Sequence, residues 1–139
     1  MNLTTYLMFN GNCEEAFRFY AHCLGGEIVK LLRFGESPGG DDVSAEWHDK
    51  VMHACLRVGD NQLMASDCPP EYREKRGGYS VALAVDTHGE AERIFEALSA
   101  QGTVRMPIQE TFWAERFGMV VDCFGTSWMV SFGGSKQSD

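Results

Sequence analysis

Apolar and polar residues alternate with changing period along this chain, and the changes mark out its elements. Leu3 to Phe9 is apolar and suited to a strand, and Asn10-Gly11-Asn12 ends it as a turn. Cys13, Ala16, Phe17, Tyr20 and Leu24 then recur on one helical face, with Glu14, Glu15, Arg18 and His22 on the other. Asn12 with Glu15 predicts an N-cap and capping box, and Gly25-Gly26 a left-handed helix stop. Glu27 to Phe34 reads as a second strand. Residues 35 to 50 lose all periodicity in an acidic, glycine-bearing loop, either a lid or a decorated connection. Val51 to Val58 alternates again, with Met52, Ala54, Leu56 and Val58 on one face and Val51, His53, Cys55 and Arg57 on the other. Gly59-Asp60-Asn61 predicts a hairpin into Gln62 to Ser66.

The order then returns. Tyr79 to Val85 is a strand, Thr87 and Glu90 form a second capping box, and Ala91, Ile94, Phe95 and Leu98 make the buried helical stripe. Gly102 closes that helix, and strands follow at 103 to 108, 117 to 122 and 127 to 132. Leu7, Glu14, Phe19 and Gly26 match Leu83, Glu90, Phe95 and Gly102 at one constant offset along the chain. One helix covers only one face of a four-stranded sheet, so each half leaves a face needing cover. The expectation is an α+β fold: two β-α-β-β-β modules, about 1–67 and 79–133, joined by a linker at 68–78, forming a curved, mostly antiparallel sheet around a trough. All 139 residues are expected to make one domain.

Composition narrows the partners. The net charge is −8, from 12 Lys and Arg against 20 Asp and Glu, which argues against nucleic acid and against an anionic membrane surface. No apolar run reaches the roughly 20 residues of a membrane helix. The first residues lack the basic and apolar signature of a signal peptide, so the expected compartment is the cytoplasm. Five dispersed cysteines without a CxxC pair read as reduced and mostly buried.

Several stretches carry a resemblance: Tyr6-Leu7-Met8-Phe9-Asn10-Gly11-Asn12-Cys13-Glu14-Glu15-Ala16, Met52-His53-Ala54, Leu63-Met64-Ala65-Ser66-Asp67, Gln109-Glu110-Thr111-Phe112-Trp113, and Asp122 to Val130. Together they resemble the PhnB-like group of the vicinal oxygen chelate superfamily, which includes glyoxalases, bleomycin-resistance proteins and dioxygenases. The resemblance implies the paired-module fold, a small-molecule ligand held by shape and stacking, and a homodimer. Metal enzymes of the superfamily take four His, Gln or Glu ligands from the first and last strands of the modules. Here those positions fall near Thr5 and Ser80, among Gln62, Leu63 and Met64, and among Trp128, Met129 and Val130, which offer one oxygen donor at most. No metal and no cofactor are expected. Some PhnB-like sequences are labelled 3-demethylubiquinone methyltransferases, but no glycine pair here opens a helix after a strand as a nucleotide site would.

The candidate site residues are His53, Asp67, Gln109, Trp113 and Trp128. His53 suits a general base if its face is the working one, and is otherwise a hydrogen-bonded structural histidine. Asp67 either takes part in proton transfer or caps the Cys68-Pro69-Pro70 turn. Trp113 either plugs the core or offers a flat wall to a planar ligand, and Trp128 sits on a face that is core or trough floor. The leading expectation is a metal-free binding protein for a partly aromatic molecule. The alternative is an enzyme moving protons through His53, Asp67 or Gln109.

Overall fold

The computed structural model describes residues 1–38 and 43–134. Gly39, Gly40, Asp41 and Asp42 of the acidic loop, and the tail from residue 135, lie outside the described residues. The chain divides between Lys75 and Arg76 into two compact units.

The first unit runs β1 (Thr5–Phe9), α1 (Cys13–Leu24), β2 (Glu27–Arg33), β3 (Val51–Val58) and β4 (Asn61–Asp67). The second runs β5 (Val81–Val85), α2 (His88–Ser99), β6 (Thr103–Gln109), β7 (Arg116–Val121) and β8 (Ser127–Phe132). Each has its own four-stranded mixed sheet, ordered β1-β4-β3-β2 and β5-β8-β7-β6. The outer pairs β1–β4 and β5–β8 are parallel, and the other pairings are antiparallel. The class is α+β. Pro107 is tolerated in β6 because that strand is an edge and Pro107 lies within the register shift between Met106 and Gln109.

Within the first unit α1 lies on the face built by Leu7, Phe9, Ala54, Leu56 and Ala65, all fully buried. Its own contribution is Cys13, Ala16, Phe17, Tyr20 and Cys23, so Cys23 takes the place expected for Leu24, which is only half-buried. In the second unit Ala91, Ile94, Phe95 and Leu98 of α2 are buried as the stripe predicts, with Val120, Trp128 and Val130 beneath them. Four of the five cysteines are buried, Cys123 is exposed, and none is in a disulfide. Burial, then the nearby Asp67 and Glu14, push the Cys13 thiol far above its usual range.

The helix ends depart from the expected devices. Asn12 makes no side-chain cap, whereas Thr87 Oγ1 accepts from Glu90 N at 3.0 Å as predicted. The Glu90 carboxylate reaches the backbone of Asp86 rather than that of Thr87. Gly25, at φ +70°, supplies the left-handed residue after α1. After α2 that conformation belongs to Gln101 (φ 59°), and Gly102 is needed for space instead.

The described flanks of the acidic loop are ordered by packing and charge. Short 3₁₀ turns at Phe34–Glu36 and Ala45–Trp47 meet through an edge-on Phe34–Trp47 contact. Arg33 donates to Glu14 Oε1 and to the Asp49 carbonyl, both at 2.9 Å. Hydrogen bonds from Arg33, then Arg18, hold the Glu14 carboxyl at about 2 instead of its ordinary 4.5. Because the folded value is the lower one, this pairing stabilises the fold above pH ~4.5 and is lost as pH falls through ~2. Glu14→Gln is expected to cost about 1 kcal/mol at pH 7, the scale of a partly exposed pair. That difference should shrink below about pH 4.5 and vanish only as pH falls past about 2 in acid-denaturation curves.

Candidate functional site

With α1 on one side, the first sheet presents its other side through Tyr6 and Met8 of β1, Leu32 of β2, His53 of β3 and Met64 of β4. Strand alternation requires it, since Leu7, Phe9, Ala54 and Ala65 point to the helix. Tyr6, Met8 and Leu32 remain 43%, 42% and 38% exposed, a large apolar content for a sheet face. At its centre the rings of Tyr6 and His53 stack, with centroids 5.7 Å apart and planes 25° from parallel. A 3.0 Å hydrogen bond joins Tyr6 Oη and His53 Nδ1. His53 therefore lies on the helix-free face, as its strand alternation predicted. The residue not foreseen was Tyr6: its alternation with Leu7 and Phe9 was visible, but its pairing with a residue 47 positions away was not.

Asp67 has a different job. It is 2% exposed and lies on the opposite side of the sheet, at the start of α1. Its Oδ1 accepts from Gly11 N and Cys13 N, and its Oδ2 from Val51 N, each at 2.9 Å. Both oxygens are thus committed to backbone donors, including the N–H of Cys13, the first residue of α1. The proposed role in proton transfer and the role as cap of the following turn both give way to this one.

The remaining candidates belong to the second unit. Trp128 is 1% exposed on the α2 side, its Nε1 donating to Asp122 Oδ2 at 2.9 Å, so it is core rather than a ligand wall. Asp122 Oδ1 also accepts from Phe124 N and Thr126 N, holding the β7–β8 turn as a structural residue. Gln109 is exposed and pairs in register with Phe117, whose ring meets half-buried Trp113 edge-on at 5.2 Å. Phe112, 80% exposed, packs edge-on against Trp113 at 4.7 Å. Thus Trp113 belongs to an aromatic cluster with Phe112 and Phe117, Gln109 is the strand partner of Phe117, and His53 has Tyr6 as its partner in the other unit.

The positions at which the superfamily places metal ligands do not suit a transition metal. Thr5 pairs with Leu63, Ser80 precedes β5, Gln62 pairs with Arg57, and Trp128 is buried. Of these, Gln62 alone offers a ligand-type oxygen, and no imidazole or carboxylate stands at these positions. Among the described residues no group of three or more His, Cys, Asp or Glu is placed to hold a metal ion. The N-terminus of α1 is filled by Asp67, whose Oδ1 accepts from Gly11 N and Cys13 N. Among the described residues no helix is long and apolar enough to cross a membrane.

Comparison with known proteins agrees with the fold. The chain is similar to a solved structure of protein PA1353 from Pseudomonas aeruginosa, with 50% identity, TM-score 0.87, and coverage of 95% of this chain and 97% of that one. It is similar to a putative 3-demethylubiquinone-9 3-methyltransferase, PhnB protein, from Bacillus cereus, with 26% identity, TM-score 0.79, and coverage of 95% and 99%. A glyoxalase/bleomycin resistance protein/dioxygenase family enzyme from Burkholderia phytofirmans shares the fold, with 12% identity, TM-score 0.64, and coverage of 94% and 96%. The family model described as 3-demethylubiquinone-9 3-methyltransferase matches residues 1–131. The chain belongs to this PhnB-like family, on the glyoxalase fold.

Proposed function

We propose that the protein binds a small, partly aromatic organic molecule without a metal, against the helix-free face of its first sheet. The observation that carries this reading is the exposed Tyr6–His53 stack with Met8, Leu32 and Met64 around it. Aromatic faces stack on planar ligands, and thioethers adapt to their edges. The Tyr6–His53 hydrogen bond holds both rings in one orientation, which lowers the entropy lost on binding. Five cysteines outside disulfides suit a reducing cytoplasm. By resemblance the working form is a homodimer, which light scattering of the purified protein would test.

A panel of aromatic metabolites and antibiotics should contain a compound that raises the melting temperature saturably. Tyr6→Ala is expected to weaken that shift at least tenfold in apparent affinity, a loss of about 1.4 kcal/mol, while leaving the ligand-free melt unchanged. No shift across a broad panel would count against the proposal. Stoichiometric Ni²⁺, Zn²⁺ or Fe²⁺ in the purified protein would overturn its metal-free part.

The same hydrogen bond supports a second reading, in which His53 is a general base oriented by Tyr6. Asp67 has no part in it. His53→Ala would then abolish a measured turnover with the fold intact, and an undiminished rate would remove His53 from the scheme.

A further inference from the structure

The second unit holds a pocket of about 150 Å³ where the segment before β5, the strand β6 and the β7–β8 turn meet. Arg76, Tyr79, Arg105, Gly125 and Ser127 line it. We infer that this pocket binds the oxyanion head group, phosphate or carboxylate, of a small acidic molecule. The inference rests on the second unit alone and stands apart from the face carrying Tyr6 and His53.

Charge is the first argument. The chain has 12 Lys and Arg against 20 Asp and Glu, yet two arginines and no carboxylate line this pocket. The acidic residue nearest in sequence, Asp122, is 4% exposed and turns its oxygens to Phe124 N, Thr126 N and Trp128 Nε1. Arg105 takes part in none of the ion pairs formed among the described residues. Two arginine side chains border one small volume, which favours an anion there over a cation. Their planar forks match the oxygens of phosphate and carboxylate.

Placement is the second argument. Arg76 Nη1 donates to the Phe124 carbonyl at 3.1 Å, which fixes its guanidinium over the turn. Gly125 has φ +92°, and a Cβ there would lie 2.7 Å from Arg76 Nη1. The glycine thus serves both the turn and the seat of the arginine. Tyr79 and Ser127 add two neutral hydroxyl donors. The volume holds a benzene-sized group and falls below the ~300 Å³ of a complete ligand pocket, so it accommodates a head group and leaves the rest of the molecule outside.

The test is amide chemical-shift mapping of the whole protein titrated separately with inorganic phosphate, phenyl phosphate and benzoate. Saturable shifts at Tyr79, Arg105 and Ser127, with those of Tyr6 and His53 unmoved, are expected for at least one probe at millimolar concentration. The tightest probe assigns the source as free phosphate, a phosphate monoester or a carboxylate. Arg105 is exposed, so Arg105→Ala should keep the fold and weaken binding at least tenfold, with Arg105→Lys in between. Gly125→Ala should weaken it as well. Weak shifts spread over all surface cations, silence from all three probes, or undiminished binding by Arg105→Ala would each overturn the inference.

Discussion

Asp67→Ala is expected to cost about 3–5 kcal/mol, the largest effect of any single side-chain truncation considered for this chain. Three backbone N–H groups, at Gly11, Cys13 and Val51, lose their acceptor at once. Two of these hydrogen bonds are buried, where each unmet group costs roughly 1–3 kcal/mol. Against a total stability of about 5–15 kcal/mol, the variant should melt roughly 10–20 °C lower. Asp67→Asn keeps one oxygen for Gly11 and Cys13 but turns an NH₂ toward the N–H of Val51, so about half the loss should remain. The contrast is Thr87→Ala in the second unit, which removes a single local cap worth about 1 kcal/mol. Urea denaturation followed by circular dichroism ranks the three. An Asp67→Ala midpoint equal to that of the wild type would show that the carboxylate does not hold the start of α1.

Gly26→Ala and Gly102→Ala are expected to destabilise by about 2–3 kcal/mol each, because both positions are closed by backbone. A Cβ at Gly26 would lie 2.5 Å from the Arg57 carbonyl oxygen and 2.7 Å from Val58 Cγ2. A Cβ at Gly102 would lie 2.5 Å from the Val121 carbonyl oxygen. In each unit the chain leaving the helix passes directly over the end of an inner strand, and neither partner is a flexible side chain able to move aside. Gly25→Ala separates crowding from conformation. Gly25 has φ +70° with no atom within 4 Å of the added methyl, so only the left-handed penalty of about 1 kcal/mol applies. Thermal melts giving Gly25→Ala the larger loss would show that conformation, and not packing, decides these positions.

The helix starts show where local reading works and where it stops. Thr87 and Glu90 lie three residues apart, so their hydrogen bond is legible in the sequence and is present. Asn12 and Glu15 offer the same pattern, yet the cap comes from Asp67, 54 residues beyond Cys13. In the parallel pairing of β1 with β4, Asp67 stands beside Phe9, while the matching β5–β8 pairing sets Phe132 beside Val85. The second unit has no carboxylate at that place and needs the local threonine. A periodic pattern cannot distinguish these cases, because the competing partner is defined only once the strands have paired.

The candidate site divided the same way. His53 was assigned to the face away from Ala54 and Leu56 by alternation alone, and Asp67 and Trp128 were marked because their residue types carry chemistry. The structure keeps the first on the open face and takes both others into the core, where a carboxylate and an indole N–H serve the backbone and each unit's packing. The two arginines of the second-unit pocket drew no notice in the sequence, where Arg76 and Arg105 are merely scattered cations.

By itself, then, the sequence determined the elements, their order and, apart from Cys23 in place of Leu24, the buried faces of both helices, because amphipathic period is a local property. It also determined the family, because whole stretches from Tyr6 to Val130 carry its pattern. Tertiary structure alone decided which polar side chains are spent on the fold and which remain available. That choice depends on which strands and turns come together, from Trp128 with Asp122, 6 positions apart, to Cys13 with Asp67, 54 apart, and no period along the chain encodes it.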